Sequence, residues 1–191
     1  MNLQRARLGG FTLIELLVTI SIAAILMLVA VPSFRDFQRN AELTSTINSL
    51  MAAVNAARGE AMKRGAFAYV VPTDGSSWSS GLTVFVDKNL DQSFTSGTDD
   101  IVLTVPASSS YITLTGTGTA AGSSPYISYD GSGYAKTKTG SFGALTLTIA
   151  RNDVGSTQLD AQTRRLVVAA TGRTRTCRPD QDTTCTASAT Q

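Results

Sequence analysis

Three arginines near the end of the chain have the types and spacing suited to binding an anion. Arg173, Arg175 and Arg178 lie within the segment GRTRTCR, residues 172–178. In an extended segment, Arg173 and Arg175 share a face and lie about 6.6–7 Å apart along the chain, comparable to successive phosphates on one DNA strand. Gly172 lets the backbone approach a ligand closely. The segment is therefore a candidate binding site for the phosphate backbone of double-stranded DNA.

The basic character of this region is local. The whole chain has 16 lysines and arginines against 14 aspartates and glutamates. Between residues 151 and 178, however, six arginines face only Asp153 and Asp160. No aromatic residue interleaves with the arginines, so DNA binding should be driven by phosphate and should weaken steeply with salt. The alternative is that these arginines pair with carboxylates of the protein or are solvated.

A second candidate site is an acidic segment in the middle of the chain. Asp87, Asn89 and Asp91 occupy positions 1, 3 and 5 of a calcium-loop pattern. The sixth position is Gln92 instead of glycine, and the twelfth is Thr98 instead of glutamate. We predict a solvated acidic turn without a metal ion, with Ca²⁺ binding as the alternative.

The residue content argues against an enzyme. The chain has no histidine, which excludes histidine-based triads and HExxH zinc sites. Asp99 and Asp100 are adjacent, so in a strand their side chains point to opposite faces, which is unsuited to shared acid and base work. Phosphate-binding glycine loops are also missing from the sequence. We predict no catalytic residues and no cofactor.

The N-terminal part contains an apolar run that can cross a membrane. Residues 13–31 would form a helix of about 28 Å, close to the thickness of bilayer hydrocarbon. Arg5 and Arg7 precede the run, so the positive-inside rule leaves the N-terminus in the cytoplasm and places the rest outside it. Glu15 is the one charge in this run and has no evident partner in its own helix. We therefore expect its partner on another molecule.

Small residues precede this run, and they carry a resemblance. Gly9 and Gly10 stand directly before Phe11, and the stretch GFTLIELLVTISIAAIL resembles the processing motif of type IV prepilins. The resemblance implies that residues 1–10 are a leader, which a prepilin peptidase cuts between Gly10 and Phe11 before methylating the new amine. It also implies assembly with other major and minor pilins, in which the Phe11 amine of a neighbouring subunit neutralises Glu15.

Beyond the apolar run, the pattern predicts that the helix continues to residue 64. Pro32 should kink or locally unwind it. A single apolar stripe with helical spacing follows, formed by Ile47, Leu50, Met51, Val54, Ala57 and Ala61. Gly65 follows Lys63 and Arg64 and is suited to ending the helix. Residues 11–64 are thus predicted as one helix, with 11–31 as its membrane and filament segment.

The remaining residues, 65–191, are predicted to form a β-rich head. Short apolar or alternating runs separated by turn-forming residues predict seven strands, at 67–71, 82–86, 100–105, 111–116, 126–130, 144–150 and 164–170. Cys177 and Cys185 are the two cysteines, and both fall on the oxidising side of the membrane. We expect them to form a disulfide that shapes a basic tail, residues 172–191.

The head narrows the resemblance to the GspH/FimT family of minor pilins and pseudopilins. The matching positions are Trp78, Gly81, Phe85, Asp87, Asn89, Tyr129, Gly131 and the segment TGRTRTC. The chain departs from the family pattern at Leu90, where an Asn-Gly turn is usual. The family implies an α+β, pilin-like fold: a long N-terminal helix packed on a two-sheet head.

The Gly-Arg-Thr-Arg segment further resembles a motif of FimT-type minor pilins implicated in DNA uptake. We therefore predict a minor pilin of a type IV pilus, located first in the bacterial inner membrane and then in a periplasmic or surface pilus. Its predicted role is non-specific binding of extracellular DNA for natural transformation. The alternative is a structural minor pilin, or a type II secretion pseudopilin, that primes or caps filament assembly without binding DNA.

Overall fold

A computed structural model describes residues 11–188. The chain divides into two compact units, one ending at Asn40 and one beginning at Ala41. Helix α1 (Leu13–Arg64) contributes to both. It continues through Pro32 without local unwinding. It ends where the sequence predicted, because Gly65 adopts a left-handed φ of 63°.

The first unit consists of the exposed, apolar part of α1. Its large apolar side chains, from Leu13 to Phe37, are 45% exposed or more. By length and composition, α1 is the one helix among the described residues that could cross a membrane, with a mean hydropathy of 2.7 over its most apolar 18 residues. Such a surface is unsuited to water and needs lipid or other apolar helices around it.

The second unit begins at Ala41 and contains the C-terminal part of α1 together with the β-rich region. From here on, we call this whole unit the head. Its described part has eight strands. The strands are β1 (Ala68–Pro72), β2 (Leu82–Val86), β3 (Asp100–Val105), β4 (Ile112–Gly116), β5 (Ile127–Tyr129), β6 (Leu145–Arg151), β7 (Thr163–Val168) and β8 (Thr174–Cys177). All seven predicted strands are present, with ends within two residues of the prediction. The eighth, β8, was not predicted.

The strands of the head form two antiparallel sheets. The first has the strand order β3-β2-β1-β5, and the second has the order β4-β6-β7-β8. Strand β8 is therefore an edge strand, paired with β7 so that Val167 lies opposite Arg175.

The core lies between the C-terminal part of α1, from Leu43 to Ala61, and the inner faces of both sheets. The predicted apolar stripe of α1 is buried, with Met51 partly buried, and Leu43 and Ala53 extend it. Trp78 is 4% exposed and donates from Nε1 to the Ala120 carbonyl at 2.8 Å. This bond fixes the long loop before β5, which contains Ala120. The predicted two-sheet α+β fold with its long N-terminal helix is confirmed.

Candidate functional site

The arginine segment forms a tight hairpin between β7 and β8. Gly172 N–H donates to the Ala169 carbonyl at 2.8 Å, and Ala169 N–H donates to the Arg173 carbonyl at 2.9 Å. Gly172 has a φ of 80°. This combination is a three-residue loop in which glycine occupies the left-handed position. The backbone of Arg173 is consequently fixed by its pairing with Ala169, and we call residues 169–175 the arginine hairpin.

Gly172 packs against the protein's own backbone. A Cβ atom at this position would lie 1.9 Å from the Gly133 carbonyl oxygen. The sequence-based interpretation, in which Gly172 lets a ligand approach, is therefore wrong: the neighbour that needs the space is the loop containing Gly133. Gly172 is buried, and its role is to seat the arginine hairpin on that loop.

Arg58 of α1 joins the same two segments. Its Nε donates to the Gly133 carbonyl at 3.0 Å, and its Nη2 donates to the Thr171 carbonyl at 3.4 Å. Ala135 N–H adds a hydrogen bond to the Ala170 carbonyl at 3.2 Å. The arginine hairpin is thus attached to α1 and to the loop after β5 through backbone carbonyls, which leaves its arginine side chains uninvolved in the attachment.

Arg173 is the exposed cation of the hairpin. Within residues 11–188, its side chain has no hydrogen bond, ion pair or ring contact. Arg173 and Arg175 line the same surface hollow, of about 500 Å³, with Val167, Ala169, Ala170 and Thr171. The two arginines therefore lie on one face, as predicted from their spacing.

Arg175 lies close to a carboxylate. Its Nη1 is 3.4 Å from Asp182 Oδ2, and its Nη2 donates to the Thr184 carbonyl at 3.3 Å. Hydrogen bonds from the Thr184 hydroxyl and amide, and then the charge of Arg175, hold the pKa of Asp182 below its ordinary value. Both side chains of the ion pair are about one-third exposed, and exposed pairs at this separation contribute little free energy. Arg175 is therefore a partly exposed cation in a weak ion pair, next to the exposed Arg173.

Arg178 has a different environment. Its Nε and Nη2 donate to the two carboxylate oxygens of Asp180 at 3.1 and 2.8 Å, and Nη2 also lies 3.5 Å from the Ala161 carbonyl. This two-point pairing supports a structural role. The count of charged residues in this region stopped at residue 178, just before Asp180 and Asp182. With these two carboxylates included, the net positive charge of the region is smaller than predicted.

The other three arginines of the basic region do not contribute to this surface. Arg151 is 2% exposed and makes two bonds with Asp153, at 2.8 and 2.9 Å. Arg164 is also buried, and its Nη1 donates to the carbonyls of Ala161 and Thr163. Arg165 Nη1 donates to the Cys185 carbonyl. Arg151 thus pairs with a carboxylate, as in the alternative, whereas Arg164 and Arg165 bind backbone carbonyls.

The disulfide lies within a segment that covers the second sheet. Cys177 and Cys185 are bonded, with their Cα atoms 5.7 Å apart, and Cys185 is 4% exposed. Ser188 accepts a hydrogen bond from the Thr146 hydroxyl of β6 at 3.0 Å. The predicted basic tail is therefore strand β8 followed by a segment packed on the outer face of the sheet. The disulfide closes that segment next to Arg175.

The acidic loop between β2 and β3 uses its carboxylates to bind its own backbone. Asp87 is 1% exposed and accepts from the amides of Leu90 and Gln92 at 2.7 and 2.9 Å. Asp99, also buried, accepts from the amides of Lys88 and Thr95. The expectation of a solvated turn is therefore wrong for Asp87.

The same loop shows how the chain replaces the usual Asn-Gly turn. Leu90 and Gln92 take left-handed φ values of 61° and 63°. Among the described residues, no group of three or more acidic or cysteine side chains is placed to hold a metal ion. Hydrogen bonds to Asp87 hold Leu90 and Gln92 in these conformations.

Glu15 has a hydrogen-bond partner directly before the start of its own helix, which the sequence analysis did not anticipate. Thr12 donates to Glu15 Oε2 from its amide at 2.8 Å and from its hydroxyl at 2.9 Å, and Glu15 N–H lies 3.3 Å from the Thr12 hydroxyl. This reciprocal arrangement is a capping box, and the T-x-x-E pattern was available as its signal. Phe11 is 90% exposed, whereas Gly10 lies outside the described residues.

Comparisons with known proteins agree with this architecture. Residues 46–172 match the family model described as type II transport protein GspH, and residues 5–31 match the prokaryotic N-terminal methylation motif. Two crystal structures of the Pseudomonas aeruginosa PAO1 type IV minor pilin FimU, in different space groups, share the fold. Their TM-scores are 0.54 and 0.51 at 16% identity, covering 75% and 72% of this chain and 94% of each FimU chain. No curated protein matches the chain.

Proposed function

The chain belongs to the GspH family of minor pilins and pseudopilins, and we propose that it acts in a type IV pilus, where its head binds double-stranded DNA through Arg173 and Arg175. The family consists of structural filament proteins, which associate with other pilins and are processed by prepilin peptidase. In this chain, the apolar N-terminal helix and the methylation motif indicate membrane anchoring with a soluble head. Three parts of this function are our proposals. They are that the filament is a type IV pilus, that the head lies outside the cytoplasm, and that its ligand is DNA.

Filament entry depends on the first unit. Cleavage between Gly10 and Phe11 would leave a cationic amine next to an exposed apolar helix. Packing that helix among others removes its apolar surface from water or lipid and brings the amine within reach of a neighbouring Glu15. The capping box adds a second role for Glu15, because Thr12 holds its carboxylate before assembly.

The observation that supports DNA binding most directly is the environment of Arg173. It is exposed and without a side-chain partner in the described chain, and it lies beside Arg175 on a hairpin of fixed backbone geometry. Because the backbone is already fixed, binding of phosphate costs only the side-chain entropy of Arg173 and no backbone entropy. Backbone phosphates are sequence-independent ligands, so the surface is suited to DNA of any sequence. Arg178 is paired with Asp180, so we do not include it in the proposed contact surface.

The DNA test uses the head alone, residues 41–191, because the buried core begins at Leu43. Binding of a labelled duplex would be measured by fluorescence anisotropy at several salt concentrations. Two phosphate contacts predict a slope of about −1.8 in log K against log salt, or about a tenfold loss of affinity between 50 and 200 mM salt. Arg173→Gln and Arg175→Gln should each reduce the slope by about 0.9.

Two control variants separate local from general charge effects. Lys63→Gln removes the same charge from an exposed position on α1 and should leave the slope unchanged. Arg178→Gln removes a charge from the same segment and should change the slope less than Arg173→Gln. The melting temperature should be nearly unchanged in Arg173→Gln, since that side chain has no hydrogen bond or ion pair in the described chain. Equal binding by the wild type and the Arg173→Gln, Arg175→Gln double variant would refute the assignment.

Loss of the gene separates DNA binding from the structural alternative. A DNA receptor's deletion should leave surface pili and stop DNA uptake, whereas deletion of a priming subunit should abolish the pili themselves. Pili counted by electron microscopy and transformation frequency measured in the same strain distinguish the two. Absence of pili would favour the structural role.

The role of Glu15 needs a pair of variants. Glu15→Ala should insert into the membrane normally and fail to enter sheared filaments. Thr12→Ala removes the local hydroxyl partner while leaving the carboxylate available to a neighbouring amine. Normal incorporation of Thr12→Ala together with failure of Glu15→Ala would support pairing between subunits. Equal failure of both would show that the capping box, and not the amine, is the essential contact.

A further inference from the structure

A pair of exposed aromatic rings lies on the segment after β5. Tyr134 and Phe142 are 42% and 61% exposed, and their ring centroids are 5.6 Å apart in an edge-to-face arrangement at 65°. The two residues belong to a turn stabilised by an antiparallel bridge between Lys136 and Phe142. Large aromatic rings this exposed and this close together form a stacking surface that the core does not use.

Cations accompany the rings. Lys136 Nζ lies 4.0 Å from the centroid of Phe142 and 3.7 Å from Asp130 Oδ2, so its charge is partly compensated. Lys138 Nζ lies 5.1 Å from the ring centroid of Tyr126. The combination of aromatic faces and lysines has the composition of a surface that binds single-stranded nucleic acid. We call Tyr134, Lys136 and Phe142 the aromatic patch.

The aromatic patch is attached to the arginine hairpin. Ala135, between Tyr134 and Lys136 in the chain, donates its N–H to the Ala170 carbonyl at 3.2 Å. One residue before the patch, Gly133 packs against Gly172 backbone to backbone. Ala135 is buried whereas Tyr134 and Arg173 are exposed, so these two side chains reach solvent from two segments whose backbones adjoin.

From this juxtaposition we propose that the aromatic patch stacks on unpaired bases of single-stranded DNA while the arginine hairpin holds the adjoining phosphates. The inference rests on the proposed DNA-binding function and extends it to the form of DNA bound. In an intact duplex the base faces are covered by neighbouring bases, so the rings can stack only on a single strand or on an opened end. Phosphates of the same strand complement the charges of Lys136 and Arg173.

Three ligands of equal length test the proposal on the head fragment 41–191. They are an oligothymidylate, an oligonucleotide of abasic sites with the same number of phosphates, and a duplex. The wild type should bind the oligothymidylate more tightly than the abasic strand. Phe142→Ala should weaken oligothymidylate binding about fivefold or more, the lower end of the effect of losing one base-stacking ring, and should leave abasic and duplex binding unchanged. Phe142→Trp should restore the preference.

The variants also separate this inference from the proposed function. Leu159→Ala removes an apolar side chain of similar exposure elsewhere on the head and should change none of the three affinities. Arg173→Gln should weaken all three ligands together. If Arg173→Gln has this effect but Phe142→Ala affects none of them, the stacking proposal fails while DNA binding stands. If no ligand binds the wild type, both fail, and contact of the patch with a neighbouring pilin becomes the remaining explanation.

Discussion

Gly172→Ala tests the packing that positions the arginine hairpin. An alanine at φ 80° costs about 1–2 kcal/mol, because its side chain is crowded in the left-handed region. Its Cβ would also lie 1.9 Å from the Gly133 oxygen, so these backbones must separate by roughly 1.5 Å to reach an ordinary contact of 3.4 Å. Overpacking of this kind costs about 1–3 kcal/mol more. We expect a total loss of about 2–5 kcal/mol.

Gly75→Ala is the matched control for this change. Gly75 has the same φ of 80°, but a Cβ there would have nothing within 4 Å. It should therefore lose only the conformational part, about 1–2 kcal/mol. For a domain of this size, each kcal/mol lowers the melting temperature by about 2–4 °C. In thermal unfolding of the head followed by circular dichroism, Gly172→Ala should melt at least about 2 °C below Gly75→Ala. Equal melting temperatures would refute the close backbone contact.

Three further changes test other parts of the head. Leu90→Gly should raise the stability in urea unfolding by about 0.5–1 kcal/mol, because glycine relieves the left-handed φ of an exposed leucine; a loss would contradict the strain. Replacing Cys177 and Cys185 by serine should lower the melting temperature by about 5–10 °C, the chain-entropy value for a separation of 8 residues, and should abolish the effect of reductant. Hydrogen bonds from Ser109 and then Tyr111 lower the pKa of Glu42 from 4.5, so the unfolded chain takes up the proton first as the pH falls. The stability that Glu42 contributes is therefore present above pH 4.5 and is lost below it. Glu42→Gln should make the free energy of unfolding less dependent on pH in this acidic range. An unchanged pH dependence would count against the hydrogen bonds to Glu42.

Local patterns in the sequence were sufficient to predict most elements of the fold. The stripe from Ile47 to Ala61 predicted which side of α1 is buried, and Gly65 predicted its end. Seven strands followed from alternating or apolar runs of five to seven residues. Strand β8 lacks such a run, since TRTC is polar and lies at a sheet edge, where only one side needs a partner. Its strand conformation depends on pairing with β7, which no local pattern displays.

The candidate site was only partly predictable for the same reason. The spacing of Arg173 and Arg175 correctly placed them on one face. Asp182 and Asp180, which pair with Arg175 and Arg178, lie just beyond residue 178, where the count of charges stopped. They are close to these arginines in sequence, and this proximity could have indicated the two ion pairs. The contact of Gly172 with Gly133 joins distant parts of the chain and could not be predicted from either neighbourhood. The aromatic patch was missed because Tyr134 and Phe142 are distant from the arginines in sequence.

Gly172 and Arg173 are adjacent, yet the structure gives them separable tasks. Gly172 is buried against a backbone carbonyl, so changing it moves the hairpin and lowers stability. Arg173 is exposed and its side chain has no hydrogen bond or ion pair in the described chain, so changing it should affect ligand binding with little effect on stability. Loss of DNA binding in Gly172→Ala alone would therefore be ambiguous, because a displaced hairpin carries its arginine with it. Loss of binding in Arg173→Gln at unchanged melting temperature assigns the contact to the guanidinium itself.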